Sequence, residues 1–401
     1  MDKFNFKIHH RDKNSNARTG IITTSHGKIR TPGFVSCGTA ATIKSLTPEE
    51  IKACSIDVFF VNTYHMMFRP GIDVVKNAGG VHKFMNWEGS VMTDSGGFQA
   101  FSLGENGPRK QTKAGNEKTQ FNEKTLVKIL EDGIEFTSAW DGKKIFLGPK
   151  ESIEAQQELG SDIMMSFDEC TFYPIKHNYA KEALKRTHAW LEVCIEQHKN
   201  NKNKINLSQA LYGVVQGSIF EDLRMESARF IKSKDVEGFA IGSVANAKEP
   251  REFVFKVLDW TLPILNYSER PVHFLGIGEI EDIFESIQRG IDTLDCVIPT
   301  RMGRLGYIFS KEMGLSKKYR YDITKSEFKL DNNILSRGCR CYTCSNFTRS
   351  YIHHLFKSRE LLGYRLATIH NLSFFGSVME EIRNSIEENN FLKLKKEWIK
   401  K

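Results

Sequence analysis

Short apolar, β-branched runs recur along the chain, each ending in a glycine-rich or polar tip and each followed by a helical pattern. Eight can be read: 33–38 (GFVSCG), 57–63 (DVFFVNT), 89–94 (GSVMTD), 162–168 (DIMMSFD), 210–216 (ALYGVVQ), 238–242 (GFAIG), 271–276 (PVHFLG) and 291–298 (IDTLDCVI). Most of the spacers read as helices. TPEE at 47–50 opens with a capping residue, a proline and first-turn acids, a helix start. Residues 178–199 hold helical period, and 219–233 and 279–290 do the same. Eight β units alternating with helices predict an α/β fold, a (β/α)8 TIM barrel rather than an open doubly wound sheet. The expected organisation is a catalytic barrel over 1–318 and a metal-stapled subdomain over 319–371, with helices at 372–401 closing on the barrel. Segment 104–150 is too long for a simple connection and reads as an insertion over the barrel mouth, followed by a helix at 151–160.

Composition changes this picture little. The chain has 401 residues, 40% hydrophobic and 26% charged, ordinary for a soluble globular protein. No apolar run approaches the roughly 20 residues that span a bilayer. The opening stretch MDKFNFKIHHRDK lacks the apolar core of a secretory signal, so the expectation is a cytoplasmic protein with no membrane partner. A net charge of +8 shifts the balance toward a nucleic-acid partner only modestly. Cysteine does change it: three of the eight fall in CRCYTC at 339–344. In a reducing compartment such clustering favours a metal over a disulfide.

In (β/α)8 barrels catalytic groups sit at the C-terminal ends of strands. Here those ends carry Asn62, Asp94-Ser95-Gly96-Gly97, Asp168-Glu169-Cys170, Gln216-Gly217, Gly242-Ser243 and Asp295. Any one Asp or Ser there is as readily a helix cap, and a lone Gln is more often a structural hydrogen-bonder. Six polar tips that would meet at one mouth are harder to dismiss together. Asp94, before a Gly-Gly turn, and Asp295, in an apolar strand, form a candidate carboxylate pair. Such a pair suits displacement at an anomeric carbon, one acid attacking and the other moving protons. Cys339, Cys341 and Cys344 supply three thiolates, and structural zinc takes four tetrahedral ligands. His353, His354 and His370 are the candidates for the fourth.

With these motifs in order the chain resembles the bacterial-type tRNA-guanine transglycosylases, from about residue 5 to 395. The resemblance rests on VNTYH at 61–65, MTDSGGFQ at 92–99, MSFDEC at 165–170, GVVQG at 213–217, LGIG at 275–278, DCVIPTRMGR at 295–304, and IHNL at 369–372 after the cysteine cluster. It implies a zinc-containing barrel that exchanges the wobble guanine of certain tRNAs for a 7-deazaguanine base. By position Asp295 matches the nucleophile that holds the ribose as a covalent ester, and Asp94 matches the general acid/base, with Asn62 supporting. Asp168 and Gln216 match the groups that read the purine edge, and Phe98 the aromatic on which the base stacks. Cys170, Ser243, Val244, Ala245 and Leu275 complete the expected base pocket. Gly276, Thr300, Arg301 and Arg304 are expected on the tRNA. His370 matches the fourth ligand of one structural Zn²⁺. The family is commonly homodimeric.

One stretch departs from the pattern. Where the family has a glycine-rich turn ending in glutamate, this chain reads GSVANAK at 242–248. Lys248 accepts no hydrogen bond and repels the ammonium of an aminomethyl base, which points to queuine. Drift in a tolerant loop is the bland alternative. Cys170, the bacterial-type residue, points instead to the smaller 7-aminomethyl-7-deazaguanine. Competing readings are a non-catalytic tRNA-binding accessory subunit, a DNA-acting relative and a plain glycoside hydrolase. The retained acids argue against the first, the zinc layout and PTRMGR at 299–304 against the second, and the purine-reading tips against the third. In the run 291–304, a salt bridge from Asp295 to the arginines is the first suggestion, but Arg301 and Arg304 read better as a phosphate grip. Asp292 reads as a surface group.

Overall fold

The computed structural model describes residues 4–98, 127–137, 142–205, 208–242, 250–265 and 269–399, except for the side chains of 201–205. The expected pocket residues Ser243, Val244 and Ala245, the departing Lys248 and much of the expected insertion 104–150 lie outside the described residues.

Three antiparallel strands open the chain: β1 (Asn5–Arg11), β2 (Arg18–Thr24) and β3 (Gly27–Thr31). Then come β4 (Gly33–Cys37), β5 (Val58–Val61) and β6 (Ser90–Thr93). A small antiparallel sheet follows, β7 (Val127–Ile129), β8 (Ile134–Thr137) and β9 (Lys144–Leu147). The next strands are β10 (Ile163–Met165), β11 (Ala210–Val215), β12 (Gly238–Ile241), β13 (Val272–Phe274) and β14 (Thr293–Cys296), and the hairpin β15 (Tyr307–Phe309) with β16 (Arg320–Asp322) completes the set. β4, β5, β6 and β10 to β14 pair in parallel and close into an eight-stranded barrel. Each expected apolar run contains one of these strands.

The expected helices form as well. The helix Pro48–Ala53 starts on a complete capping box of Thr47 and Glu50. Others span Pro149–Leu159, His177–Ile205, Glu221–Lys232 and Ile280–Arg289.

The two-residue alternation of the strands splits the apolar residues into two cores. Val35, Val58, Phe60, Met92, Met165, Val214 and Ala240 point into the barrel. Their neighbours Phe34, Phe59, Val61, Val91, Met164, Val215, Phe239 and Leu294 face the helices. Ile22 and Ile29 of the first sheet join the inner cluster, closing the barrel at the N-terminal ends of its strands. Buried polar clips hold that closure. Arg18 bonds Asp292 through Nε to Oδ1 at 2.8 Å and through Nη2 to Oδ2 at 2.6 Å. His26 and His82 stack with ring centroids 3.5 Å apart and share Asp162, at 2.8 and 3.1 Å.

Asp292 is therefore no surface group. It is fully buried, it also accepts from the Val272 N–H at 2.8 Å, and Arg18 neutralises it. A buried acid next to a strand start can be mistaken for a surface one, because its partner lies far off in sequence.

Candidate functional site

The barrel mouth opens into a cavity of about 280 Å³. Its lining includes Asn62, Asp94, Phe98, Asp168, Cys170, Gln216, Leu275, Gly276 and Asp295 from the expected set, and Gly242. Thr300, Arg301 and Arg304 are not in the lining.

Asp94 follows the last residue of β6 and is half-buried. Its Oδ1 accepts from the Thr63 N–H at 2.8 Å and its Oδ2 from the Asn62 amide, while the Thr63 hydroxyl donates to its carbonyl at 2.6 Å. Asn62 and Thr63 thus orient the carboxylate from the neighbouring strand tip. The turn after it needs Gly96, which sits at φ 81°.

Asp168 and Gln216 meet at the tips of β10 and β11. Gln216 Nε2 donates to Asp168 Oδ2 at 2.6 Å, and the Ser95 hydroxyl donates more loosely to Oδ1 at 3.4 Å. Burial is the main influence on the Asp168 carboxyl and lifts it to about 6, against the pull of those donors. Gln216 Oε1 is buried with no partner among the described residues, an acceptor left for a ligand donor. Between the pocket residues Asp168 and Cys170, Glu169 turns the other way. It is clamped by Arg186 at 2.7 Å and by the Tyr179 hydroxyl at 2.8 Å, both from the helix His177–Ile205. Phe98 is half exposed over the mouth, its ring centroid 6.0 Å from that of Phe172.

Asp295 lies on β14 with its side chain 13% exposed. Among the described residues it pairs with no arginine. Oδ1 accepts from the Gly276 N–H at 2.9 Å and lies 3.2 Å from His273 Nε2, and Oδ2 faces the Cys37 thiol at 3.5 Å. Gly276, expected on tRNA, thus touches this carboxylate. Burial holds the Cys37 thiol well above its usual range, and the charges of Asp295 and Asp94 push the same way. Both acids and this cysteine line the cavity.

The run IPTRMGR at 298–304 is a helix directly after β14. Thr300 is buried, its hydroxyl donating to the Val297 carbonyl at 3.3 Å. That occupies the group expected to grip tRNA. Arg301 is exposed, and half-buried Arg304 donates to the Thr300 carbonyl at 2.8 Å.

Cys339, Cys341, Cys344 and His370 place their ligand atoms within 4.8 Å of one another. His370 Nδ1 lies 3.8, 3.5 and 3.3 Å from the three sulfurs in that order. A tetrahedral ion with Zn–S and Zn–N bonds of ordinary length would set N···S near 3.5 Å, roughly what is found. His370 Nε2 lies 2.8 Å from the Phe309 carbonyl, so with Nε2 donating there Nδ1 is free to ligate. Cys341 caps the helix Tyr342–Asn346 and accepts from the Cys344 N–H. The cluster can hold a metal ion. His353 instead faces the Ile323 carbonyl at 2.8 Å. The expected boundary between the metal-stapled subdomain and the closing helices falls at 371–372, next to His370. It lies within one unbroken helix, Leu361–Glu387, because 364–375 contains neither proline nor glycine. Next to it, Asn371 Nδ2 donates to the Pro299 and Tyr307 carbonyls, both at 3.0 Å. That ties the cysteine cluster to the helix of the two arginines.

His273, Thr293, Cys37 and Thr63 were not anticipated. For the first two a signal existed. Inward residues of a strand recur every second position, so the residues two before the pocket-lining Leu275 and Asp295 line the interior beneath it.

Together the fold and the cavity define a (β/α)8 enzyme with an acidic pocket at its mouth and a cluster of three cysteines and a histidine, able to hold a metal ion, braced against the helix beside it. The family model described as queuine tRNA-ribosyltransferase matches residues 12–401. Queuine tRNA-ribosyltransferases of Desulforamulus reducens and Thermoanaerobacter pseudethanolicus are each 41% identical to the chain, covering 98% and 100% of it and 97% and 98% of their own lengths. That of Macrococcus caseolyticus is 40% identical over 96% of the chain and 93% of its own length. The chain belongs to the queuine tRNA-ribosyltransferase family and is a transglycosylase, a pentosyltransferase. Among the described residues no helix is long and apolar enough to cross a membrane.

Proposed function

We propose that this enzyme exchanges the wobble guanine of tRNA for a 7-deazaguanine base by double displacement at the ribose C1′. The observation that carries this reading is a single cavity lined by Asp94 and Asp295 together with the Asp168–Gln216 pair. Two carboxylates suit glycosyl transfer, and an acceptor-rich edge suits the N–H groups of a guanine. An anticodon loop is already single-stranded enough for a base to be swung out cheaply.

In the first displacement an Asp295 oxygen attacks C1′. The C1′–N9 bond breaks, its electron pair leaves with guanine, and Asp94 gives N9 a proton. The incoming base then returns a proton to Asp94 from its own N9–H while N9 attacks C1′. The ester bond breaks, and its electron pair returns to the Asp295 carboxylate. Two inversions give net retention, and Asp94 ends as it began. Asp168 and Gln216 hold the pyrimidine edge, and Phe98 stacks on the base. The metal is Zn²⁺ in a structural role: when bound it crosslinks the cysteine loop to the helix of His370. Which 7-deazaguanine enters depends on the stretch of Lys248 as well as on Cys170. The lysine favours queuine.

The test is incubation with tRNA and each base in turn, with products read by mass spectrometry and protein–tRNA adducts on denaturing gels. The expected result is incorporation with a trappable adduct that Asp295→Ala abolishes while tRNA still binds. Base exchange by Asp295→Ala would overturn the covalent route. A clear preference for 7-aminomethyl-7-deazaguanine would overturn the queuine reading. A gel shift favouring duplex DNA over tRNA at matched salt would point to the DNA-acting alternative.

A further inference from the structure

We propose that His273 is a positioning residue that, with the Gly276 N–H, fixes Oδ1 of Asp295 so that Oδ2 is the attacking oxygen. This rests on the reading of Asp295 as the nucleophile. β13 and β14 pair with His273 opposite Thr293, so the imidazole sits inside the barrel directly below the acid. It has no solvent exposure. Its Nε2 lies 3.2 Å from Asp295 Oδ1 and its Nδ1 lies 2.9 Å from Thr293 Oγ1. An ionised carboxylate only accepts hydrogen bonds, so Nε2 carries the hydrogen. In the neutral ring Nδ1 is then an acceptor, and the Thr293 hydroxyl, which can rotate, supplies its donor. A single neutral tautomer satisfies every contact of the ring.

The two carboxylate oxygens are thereby made unequal. Oδ1 receives both strong donors, Nε2–H and the Gly276 N–H at 2.9 Å. Among the described residues Oδ2 faces only the Cys37 thiol at 3.5 Å, a weak donor. The oxygen with the weaker donor is the better nucleophile, and Asp295 and the Cys37 beside that oxygen both line the cavity. When Oδ2 bonds C1′, Oδ1 becomes the ester carbonyl and keeps both donors. When the second base breaks the C1′–Oδ2 bond, negative charge returns to the carboxyl group. The same two N–H groups then stabilise it as a leaving group. His273 therefore acts on both displacements without touching the substrate.

The test compares His273→Ala, His273→Gln and Thr293→Val with the parent enzyme and with Asp295→Ala. Single-turnover base exchange, the fraction of tRNA trapped as adduct, the KM for tRNA and the unfolding midpoint are measured. Loss of one hydrogen bond to a charged group corresponds to a roughly ten- to hundredfold slower step. His273→Ala should lose that much in single-turnover rate with its KM for tRNA little changed. His273→Gln, whose amide N–H reaches toward the same oxygen, should recover much of the loss. Thr293→Val should slow the step, because Nδ1 loses its donor and the ring can present a lone pair to Asp295. An unchanged rate in His273→Ala, beside an inactive Asp295→Ala, would overturn the role of His273 alone. So would a loss that glutamine does not rescue and that follows the drop in unfolding midpoint. Exchange surviving in Asp295→Ala would instead remove the nucleophile reading on which this one stands.

Discussion

Gln216 donates to Asp168 at 2.6 Å, so the two groups suited to reading a purine edge are aligned on each other before any base arrives. The contact leaves Gln216 Oε1 and one Nε2 hydrogen for a ligand. It also makes the pair sensitive to pH. Burial lifts the Asp168 carboxyl to about 6. For an acid raised in the fold, the associated stability is present below its ordinary value and is lost as pH rises through about 6. Ligand binding runs the other way, because a base that donates N–H groups requires the ionised form. Guanine affinity should therefore climb as pH passes upward through about 6 and then level off, and isothermal titration across that range checks it. Asp168→Asn should flatten the profile and weaken guanine by roughly tenfold or more.

Two aspartates three residues apart should fail differently. Asp292 is fully buried on Arg18, whereas Asp295 faces the cavity. Removing one partner of a buried ion pair costs about 3–5 kcal/mol. Asp292→Ala should therefore lower the unfolding midpoint by many degrees. Asp295→Ala should leave the midpoint close to the parent value and remove the chemistry. Thermal denaturation followed by circular dichroism, with base exchange assayed below the lower midpoint, separates the two.

The arginines of the helix Ile298–Arg304 lie three positions apart on one face. If they hold phosphates, Arg301→Ala and Arg304→Ala should each weaken tRNA binding and reduce the slope of log affinity against log salt by about 1. Exchange of a saturating tRNA should change little. Arg304 also donates to the Thr300 carbonyl, so its loss should disturb the helix end somewhat more. Filter binding at several salt concentrations reads the slope.

The metal cluster should act on tRNA through Asn371. That side chain joins the helix of His370 to the Pro299 and Tyr307 carbonyls. Elemental analysis should find one zinc per chain. Strong chelation or Cys341→Ser should lower the unfolding midpoint and weaken tRNA binding. Asn371→Ala should weaken tRNA binding while zinc content holds.

The apolar runs by themselves determined the barrel, because a period of two with polar tips can be buried on both faces only in a sheet wrapped by helices. Residue type and order were enough to mark Asp94, Asp168, Gln216 and Asp295 as candidates, because a strand end of known position leads to a known mouth. They also marked the three clustered cysteines, while His353, His354 and His370 stayed open as the fourth partner until the resemblance pointed to His370. Partners were not legible. Asp292 looked like a surface acid until Arg18, 274 positions earlier, lay against it. Nothing in the spacing showed that Asp295 would meet His273 and Gly276, and Thr300 looked free until the Val297 carbonyl took its hydroxyl. Each of these depends on which atoms a closed barrel brings within hydrogen-bond distance. Sequence spacing gives the direction of a side chain along its own strand, but only chain closure and strand register decide what stands opposite it.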